Sequence, residues 1–197
     1  MKSVSKVEGT MVTLPRADVD TDQIIPKQFL TRTERTGYGE FLFYDWARTE
    51  EGDPSSDFFV HDPKRQGAKV LVAGRNFGCG SSREHAVWAI QDWGFDVVIA
   101  PSFGDIFRNN CANVGLLAVE LPEVDVARLH EMGQNPGVVV TVDLEQQVVE
   151  VDDYVFEFDI EPEVKERLLK GLDPIGVTLL EDEAISRFES TRPAWLS

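Results

Sequence analysis

Short apolar runs separated by amphipathic segments dominate the middle of the chain. The runs are rich in valine, leucine, isoleucine and alanine, which is typical of strands buried in a parallel sheet; they cover residues 69–73, 96–100 and 116–121. The amphipathic segments predict helices over residues 82–93, 102–112 and 124–132. Gly94 is well placed to end the first of these helices. This order predicts a β-α-β unit with parallel strands and a right-handed crossover.

The two ends of the chain show different patterns. Further strands are predicted over residues 138–142, 148–151 and 154–158, with one or two short strands over 4–14. Two more helices are predicted over residues 163–170 and 181–189. The sequence therefore predicts an α/β protein with a mixed sheet flanked by helices. We expect one compact domain over residues 1–175 and a C-terminal helix and tail over 176–197, loose unless Trp195 docks.

Composition limits the classes of partner. The chain has 197 residues, a hydrophobic fraction of 42% and a net charge of −16. This acidity argues against nucleic acid and anionic membrane surfaces as partners. The apolar runs are shorter than the ~20 residues of a membrane-spanning helix, and the first residues lack a signal-peptide core. Two cysteines make no disulfide framework, so the cytoplasm is the expected compartment.

The glycine-rich turn after the first buried run, residues 74–83, concentrates polar chemistry. Glycine permits positive φ and lets a ligand approach the backbone. Ser81 and Glu84 fit the Ser-x-x-Glu capping box, so we expect Ser81 to be the helix N-cap. A helix start beside Arg83 suits a carboxylate or a phosphate. Two interpretations stay open at this point, an anion site or a turn whose residues serve only backbone geometry and capping.

Known phosphate and nucleophile motifs do not fit this turn. The dinucleotide pattern needs a glycine where Arg83 stands, and the P-loop needs a lysine where Gly80 stands. The nucleophile elbow needs a glycine at Glu84. His85 could act as the base for a nucleophilic Ser81 or Cys79. No third group that would orient the histidine is identifiable, so a packing role is favoured for His85. Cys79 itself is either a redox-sensitive thiol or, as we favour, a small residue packed in the turn.

Two earlier segments are also distinctive. Asp18, Asp20 and Asp22 could bind a hard cation, but they lack the glycine and the distal glutamate of a calcium loop, so a solvated turn with an aspartate N-cap is the alternative. The connection over residues 31–67 is long and aromatic. Such a connection is usually functional, and its aromatic residues either pin it to the body or to a partner, or form a satellite cluster under a surface loop.

Three stretches of the chain together resemble one family. Residues 76–86, Asn-Phe-Gly-Cys-Gly-Ser-Ser-Arg-Glu-His-Ala, look like the signature of the aconitase-type swivelling domain. Their cysteine resembles the 3-isopropylmalate dehydratase small subunits. Residues 18–30 resemble that family's N-terminal motif, and residues 94–107 also match. The resemblance implies a single compact β/β/α swivelling domain whose sheet is partly closed into a barrel.

The resemblance also implies roles for individual residues. Ser81 matches the serine that acts as catalytic base, Arg83 would bind a substrate carboxylate, and Asp22 matches an active-site aspartate. Gly80 and Ser82 would lie at the substrate. A mobile substrate loop would cover residues 29–37, and its implied substrate-binding residues are Phe29, Leu30, Thr31 and Arg32, with Arg35 as an alternative carboxylate ligand.

The implied reaction removes water from 2-isopropylmalate and adds it back at the neighbouring carbon, through 2-isopropylmaleate, in leucine biosynthesis. In this family the open iron of a [4Fe–4S] cluster polarises the departing hydroxyl. Cluster binding needs several thiolates, and this chain has only Cys79 and Cys111. The resemblance therefore implies no metal on this chain and a heterodimer with a large subunit that carries the cluster, with a small dicarboxylate bound between the two chains.

Rival functions stay open. A sister hydro-lyase for homoaconitate or for methylmalate and citraconate would use the same chemistry on a different side group. Phe29 and Leu30 suit a branched alkyl group and mildly favour isopropylmalate. A non-catalytic interaction protein is a different class, against which Asp22 and the intact Ser81 and Arg83 argue. A phosphate-binding domain is disfavoured by the failed phosphate motifs.

Overall fold

One mixed sheet of seven strands organises the computed structural model, which describes residues 1–30, 36–56 and 58–192. The strands are β1 Lys6–Leu14, β2 Val70–Ala73, β3 Val97–Ala100, β4 Leu117–Glu120, β5 Val139–Asp143, β6 Val148–Val151 and β7 Tyr154–Glu157. Their order across the sheet is β4-β3-β2-β1-β5-β6-β7. Strand β1 joins the two halves, because it pairs parallel with β2 and antiparallel with β5.

Seven α-helices flank the sheet in the described part of the chain. They are α1 Thr21–Ile24, α2 Glu84–Trp93, α3 Asp105–Val114, α4 Glu123–Met132, α5 Pro162–Lys170, α6 Pro174–Leu179 and α7 Asp182–Ser190. Two short 3-10 helices cover Lys27–Phe29 and Gly39–Phe41. The predicted α/β class and the β2-α2-β3 unit are confirmed, since β2 and β3 pair in parallel. The region predicted as one or two strands over residues 4–14 forms the single strand β1.

Both faces of the sheet are buried at β2 and β3, which explains the continuous apolar runs of these two strands. Val98 belongs to one hydrophobic cluster, together with residues of α2 and α3. Val97 and Ile99 belong to a second cluster, together with residues of α4 and α5. This second cluster also contains residues of both edge strands, Leu117 of β4 and Phe156 of β7. The sheet is therefore curled, as expected for a partly closed sheet.

Apolar residues from the described part of the 31–67 connection belong to the first hydrophobic cluster, the one that contains Val98. Tyr38, Leu42 and Phe43 are fully buried, and Phe43 stacks on Trp46 with ring centroids 5.4 Å apart. The backbone N–H of Tyr38 donates to the carboxylate of Asp92 on α2 at 2.8 Å. Of the alternatives raised by the aromatic pattern, pinning to the body of the domain is the one observed, because these rings pack directly against the sheet layer rather than in a separate cluster.

The C-terminal helices lie on the surface. Over residues 174–192 no residue is buried, and Ile175, Leu180 and Phe188 are among the exposed large apolar side chains. Helix α7 matches the predicted last helix, whereas α6 was not predicted and runs across the expected boundary between residues 175 and 176. The division into a domain and a tail stays a prediction. Trp195 lies outside the described residues.

Candidate functional site

The turn after β2 is bonded to the segment that follows β1. The backbone N–H of Gly78 donates to the Val19 carbonyl at 2.8 Å, and the N–H of Thr21 donates to the Cys79 carbonyl at 2.9 Å. Asp20 and Cys79 thereby pair as two adjacent parallel strands do. Two motifs that stand about 60 positions apart in the sequence therefore form one continuous surface.

The third motif supports the same turn from the other side. The backbone N–H of Asn76 donates to the Ser102 hydroxyl at 2.9 Å, and the N–H of Phe77 donates to the Ser102 carbonyl at 3.0 Å. The Asn76 amide also donates to the carboxylate of Asp18 at 2.8 Å. Three stretches singled out in the sequence thus meet at the carboxyl ends of β1, β2 and β3, where open α/β sheets bind ligands.

The three aspartates of the N-terminal motif have separate structural partners. Asp18 accepts the hydrogen bond from Asn76, as described. Asp20 is the N-cap of α1: its carboxylate accepts from the N–H of Asp22 at 2.6 Å, and its own N–H donates to the Gln23 side chain at 2.9 Å. The aspartate N-cap interpretation is confirmed. Within residues 1–30, 36–56 and 58–192, no group of three or more His, Cys, Asp or Glu side chains could hold a metal ion.

Two features require a glycine at position 80, namely its backbone angle and the Asp20 side chain beside it. Its φ is +99°, which favours glycine. A Cβ atom added there would lie 2.2 Å from a carboxylate oxygen of Asp20. The N-cap of α1 therefore fills the space that a side chain at position 80 would need, and the backbone of the turn passes directly over the end of α1.

The two serines of the turn are exposed, and the predicted helix cap is wrong. Helix α2 begins at Glu84, with Arg83 in the N-cap position and no side-chain cap, so Ser81 does not cap it and the helix starts two residues later than predicted. The reason is the tie to the N-terminal motif: the buried Thr21 hydroxyl donates to the Ser81 carbonyl at 3.2 Å and holds this residue outside the helix. None of the described residues bonds to the Ser81 hydroxyl. Ser82 lies beside it on the same exposed turn.

A charged cluster adjoins the serines. Arg83 forms an ion pair with the carboxylate of Asp22 through one guanidinium nitrogen. Lys27 forms a second ion pair with the other oxygen of the same carboxylate, at 3.1 Å. The side chain of Arg83 is 14% exposed, that of Asp22 is 33% exposed and that of Lys27 is 72% exposed. The side chains of Asp22, Arg83 and Lys27 together carry a net charge of +1, and the Asp20 carboxylate lies against the same turn at Gly80.

The start of the predicted substrate loop is anchored to the core. Phe29 stacks on Phe41 with ring centroids 4.0 Å apart and lies 4.8 Å from Tyr44. Leu30 is half-buried against the same cluster. The expected contacts of Phe29 and Leu30 with a substrate stay predictions. The other loop residues singled out in the sequence, Thr31, Arg32 and Arg35, lie outside the described residues.

His85 and the cysteines are placed as packing residues. His85 contacts the rings of Tyr38 and Trp88, with centroids 5.4 Å and 4.7 Å away, and burial lowers its pKa. Burial, together with the charges of nearby aspartates, raises the pKa of the Cys79 thiol, which disfavours its thiolate form. Cys111 is fully buried, and burial raises its pKa further. These contacts agree with the packing roles favoured from the sequence.

Sequence reasoning missed two residues of this site. The Thr21 hydroxyl fixes the Ser81 backbone, but a threonine between two aspartates carries no signal of burial in the sequence. Lys27 gives no signal either, because a lone lysine is common on any protein surface. The spacing of Asp22 and Lys27 also does not match that of ion pairs on one helix, which lie three or four residues apart. The two residues belong to different elements, α1 and the 3-10 helix after it.

Comparison with known proteins gives a consistent picture. The family model described as the aconitase C-terminal domain matches residues 1–124, and the model LeuD_N matches residues 129–162. The chain is 53% identical over 197 residues to the 3-isopropylmalate dehydratase small subunit of Rubrobacter xylanophilus, covering 100% of this chain and 98% of that protein. It is 47% identical over 197 residues to the protein of the same name from Bacillus subtilis, covering 100% and 99%.

A solved structure has the same fold. The crystal structure of 3-isopropylmalate dehydratase (leuD) from Methanocaldococcus jannaschii superposes with a TM-score of 0.68 and 27% sequence identity, covering 92% of this chain and 98% of that one. Among the helices described for this chain, none is both long enough and apolar enough to cross a membrane.

Proposed function

The chain belongs to the family of 3-isopropylmalate dehydratase small subunits, and from this membership we propose that it works with a large subunit to interconvert 2-isopropylmalate and 3-isopropylmalate. The reaction is a dehydration to 2-isopropylmaleate followed by rehydration at the neighbouring carbon, a step of leucine biosynthesis. The observation that carries the proposal is an exposed serine pair on a fixed glycine turn, directly beside an arginine paired with Asp22.

We propose Ser81 as the base that removes a proton from the carbon next to a substrate carboxylate, while hydroxide leaves the adjacent carbon. A serine hydroxyl is a weak acid, so its alkoxide needs stabilisation. The N–H groups at the start of α2, the positive end of that helix and the guanidinium of Arg83 would supply it in the manner of an oxyanion hole. Because Ser81 does not cap α2 and none of the described residues bonds to its hydroxyl, this hydroxyl would be available for the role.

Arg83 and its neighbours would bind the substrate. The Arg83 guanidinium pairs with Asp22 through one nitrogen, and it would bind a substrate carboxylate through its fork of donors. Gly80 and Ser82 would lie along the bound acid. Phe29 and Leu30, at the start of the predicted substrate loop, would approach its isopropyl group, with Thr31 and Arg32 of that loop nearby.

The residues of this chain do not fit a [4Fe–4S] cluster. Such clusters are held by cysteine thiolates, four in the common case, whereas this chain has two cysteines, of which Cys111 is fully buried. We therefore place the cluster on the large subunit and derive no step of this chain's chemistry from it. The complex of the two chains would be the active species, and its expected compartment is the cytoplasm.

The test is reconstitution with an anaerobically loaded large subunit, followed by ultraviolet absorbance of the unsaturated intermediate. We expect turnover only in the mixture, highest with isopropylmalate. Ser81→Ala should abolish turnover while gel filtration shows unchanged association. The matched control is Ser5→Ala, which removes an exposed serine just before β1, at the far end of that strand from the site.

Each other outcome changes the proposal in a defined way. Turnover highest with homoaconitate or methylmalate would keep the role of Ser81 and change the substrate. Substantial turnover by Ser81→Ala would remove this serine from the base role. A mixture in which the subunits associate but no acid is converted would instead favour a non-catalytic interaction protein.

A further inference from the structure

Lys27 is a charged residue of the site that the proposed chemistry does not use. It lies at the start of the 3-10 helix Lys27–Phe29, directly after the buried Pro26. Its ammonium group is 3.1 Å from one oxygen of Asp22, whose other oxygen pairs with Arg83. The side chain is 72% exposed, so it contributes little to the packing of the core.

The arrangement creates a competition at Arg83. A substrate carboxylate and the Asp22 carboxylate are chemically alike, and both attract the same guanidinium. If Asp22 had Arg83 as its sole cation, turning the guanidinium toward a substrate would leave a carboxylate that is two-thirds buried with an uncompensated charge, which is unfavourable. Lys27 would offset this cost, because it pairs with the opposite oxygen of Asp22 and that contact does not involve Arg83.

We propose that Lys27 is a positioning residue: it neutralises Asp22 so that Arg83 is free to bind a substrate carboxylate. The inference rests on the proposed function, because it assigns Arg83 to a dicarboxylate substrate. Lys27 acts through Asp22 and does not itself touch the reacting atoms. Its side chain is 72% exposed, and its charge keeps the sum over Asp22, Arg83 and Lys27 at +1 as the dianionic substrate approaches.

The role predicts a specific kinetic signature. Removing the charge with Lys27→Met should raise KM about fivefold, the effect of losing one well-ordered exposed ion pair, and should leave kcat within about twofold. The conservative variant Lys27→Arg should restore the KM, since a guanidinium can also hold the Asp22 carboxylate. The isolated chain should stay folded in both variants, because the side chain is exposed, and a thermal unfolding scan checks this.

The matched control is Lys170→Met. Lys170 is also an exposed lysine paired with one carboxylate, Glu166, but it lies on α5, on the other face of the sheet. This control removes the same net charge without touching Asp22. A KM increase that appears in Lys27→Met and not in Lys170→Met therefore reports the local contact and not the overall charge of the chain.

The experiment is steady-state kinetics of the reconstituted two-subunit complex with isopropylmalate. A selective rise in KM, reversed by Lys27→Arg, supports the inference. An unchanged KM in Lys27→Met, a loss of kcat alone, or an equal effect of Lys170→Met would each overturn it while leaving the proposed function intact. An inactive wild-type complex would instead overturn the proposed function, and with it this inference.

Discussion

Replacing Gly80 with alanine tests whether the serine turn and the N-terminal motif form one rigid unit. The φ of +99° costs an alanine roughly 1–2 kcal/mol. The new Cβ would also lie 2.2 Å from a carboxylate oxygen of Asp20, which must then leave its capping position on α1, and loss of such a cap costs about 1 kcal/mol. We therefore expect Gly80→Ala to lower the free energy of unfolding by roughly 2–3 kcal/mol.

A matched glycine separates the two causes. Gly52 has a similar φ of +91°, and nothing lies within 4 Å of a Cβ built there. Gly52→Ala should therefore cost only the backbone term, roughly 1–2 kcal/mol. Adding Asp20→Ala to Gly80→Ala removes the colliding carboxylate, so in this background the cost of Gly80→Ala should fall to the Gly52→Ala value. The assay is urea unfolding of the isolated chain, with the slope m checked to be unchanged.

Two results would refute this reasoning. One is a Gly80→Ala variant no less stable than Gly52→Ala, which would mean that the Asp20 carboxylate moves aside without losing its cap. The other is a cost of Gly80→Ala that is the same with and without Asp20, because a double-mutant cycle then shows no coupling between the two positions.

Two further predictions concern the tail and the site thiol. The free energy of unfolding of a chain that ends at Asp173 should lie within about 0.5 kcal/mol of the full-chain value in the same urea assay, because none of the described residues after Asp173 is buried. A larger loss of stability would show that α6 and α7 stabilise the domain. Cys79 should react with iodoacetamide more slowly at pH 8 than the same cysteine in the urea-unfolded chain, because burial and nearby Asp20 and Asp18 raise its pKa. Mass spectrometry after labelling from pH 7 to 10 measures this, and a half-maximal rate below pH 8 would contradict it.

Much of the parallel half of the fold could be predicted because β2 and β3 are buried on both faces. A run such as Val97–Ala100 is continuously apolar for that reason, and helices must then cover both sides. The curl of the sheet could not be predicted from such patterns. It depends on a long-range contact, because Leu117 and Phe156 lie on opposite edge strands and pack in the same hydrophobic cluster. Short elements such as α1 and α6 were missed because four to six residues carry too little periodicity.

The site was predictable as a set of motifs and not as a geometry. The resemblance brought Ser81, Arg83 and Asp22 together, and their association follows from the pairing of two loops after parallel strands. The capping role of Ser81 was wrong because a local Ser-x-x-Glu pattern cannot register a long-range hydrogen bond from Thr21. The ion pair between Lys27 and Asp22 was likewise invisible, since it depends on how two short helical turns meet.

The position of β1 between the two halves of the sheet also has a consequence for the order of folding. Strands β2 to β4, and strands β5 to β7, each pair with neighbours that are close in sequence, whereas β1 pairs with β2 and β5 across long stretches of chain. Closing such long loops is the slow part of assembling a sheet. We therefore expect β1 to dock late. Because the segment with Asp22 and Lys27 follows β1 directly, the site would be completed in the last stage of folding, and a nascent chain would not present the complete site to a large subunit until then.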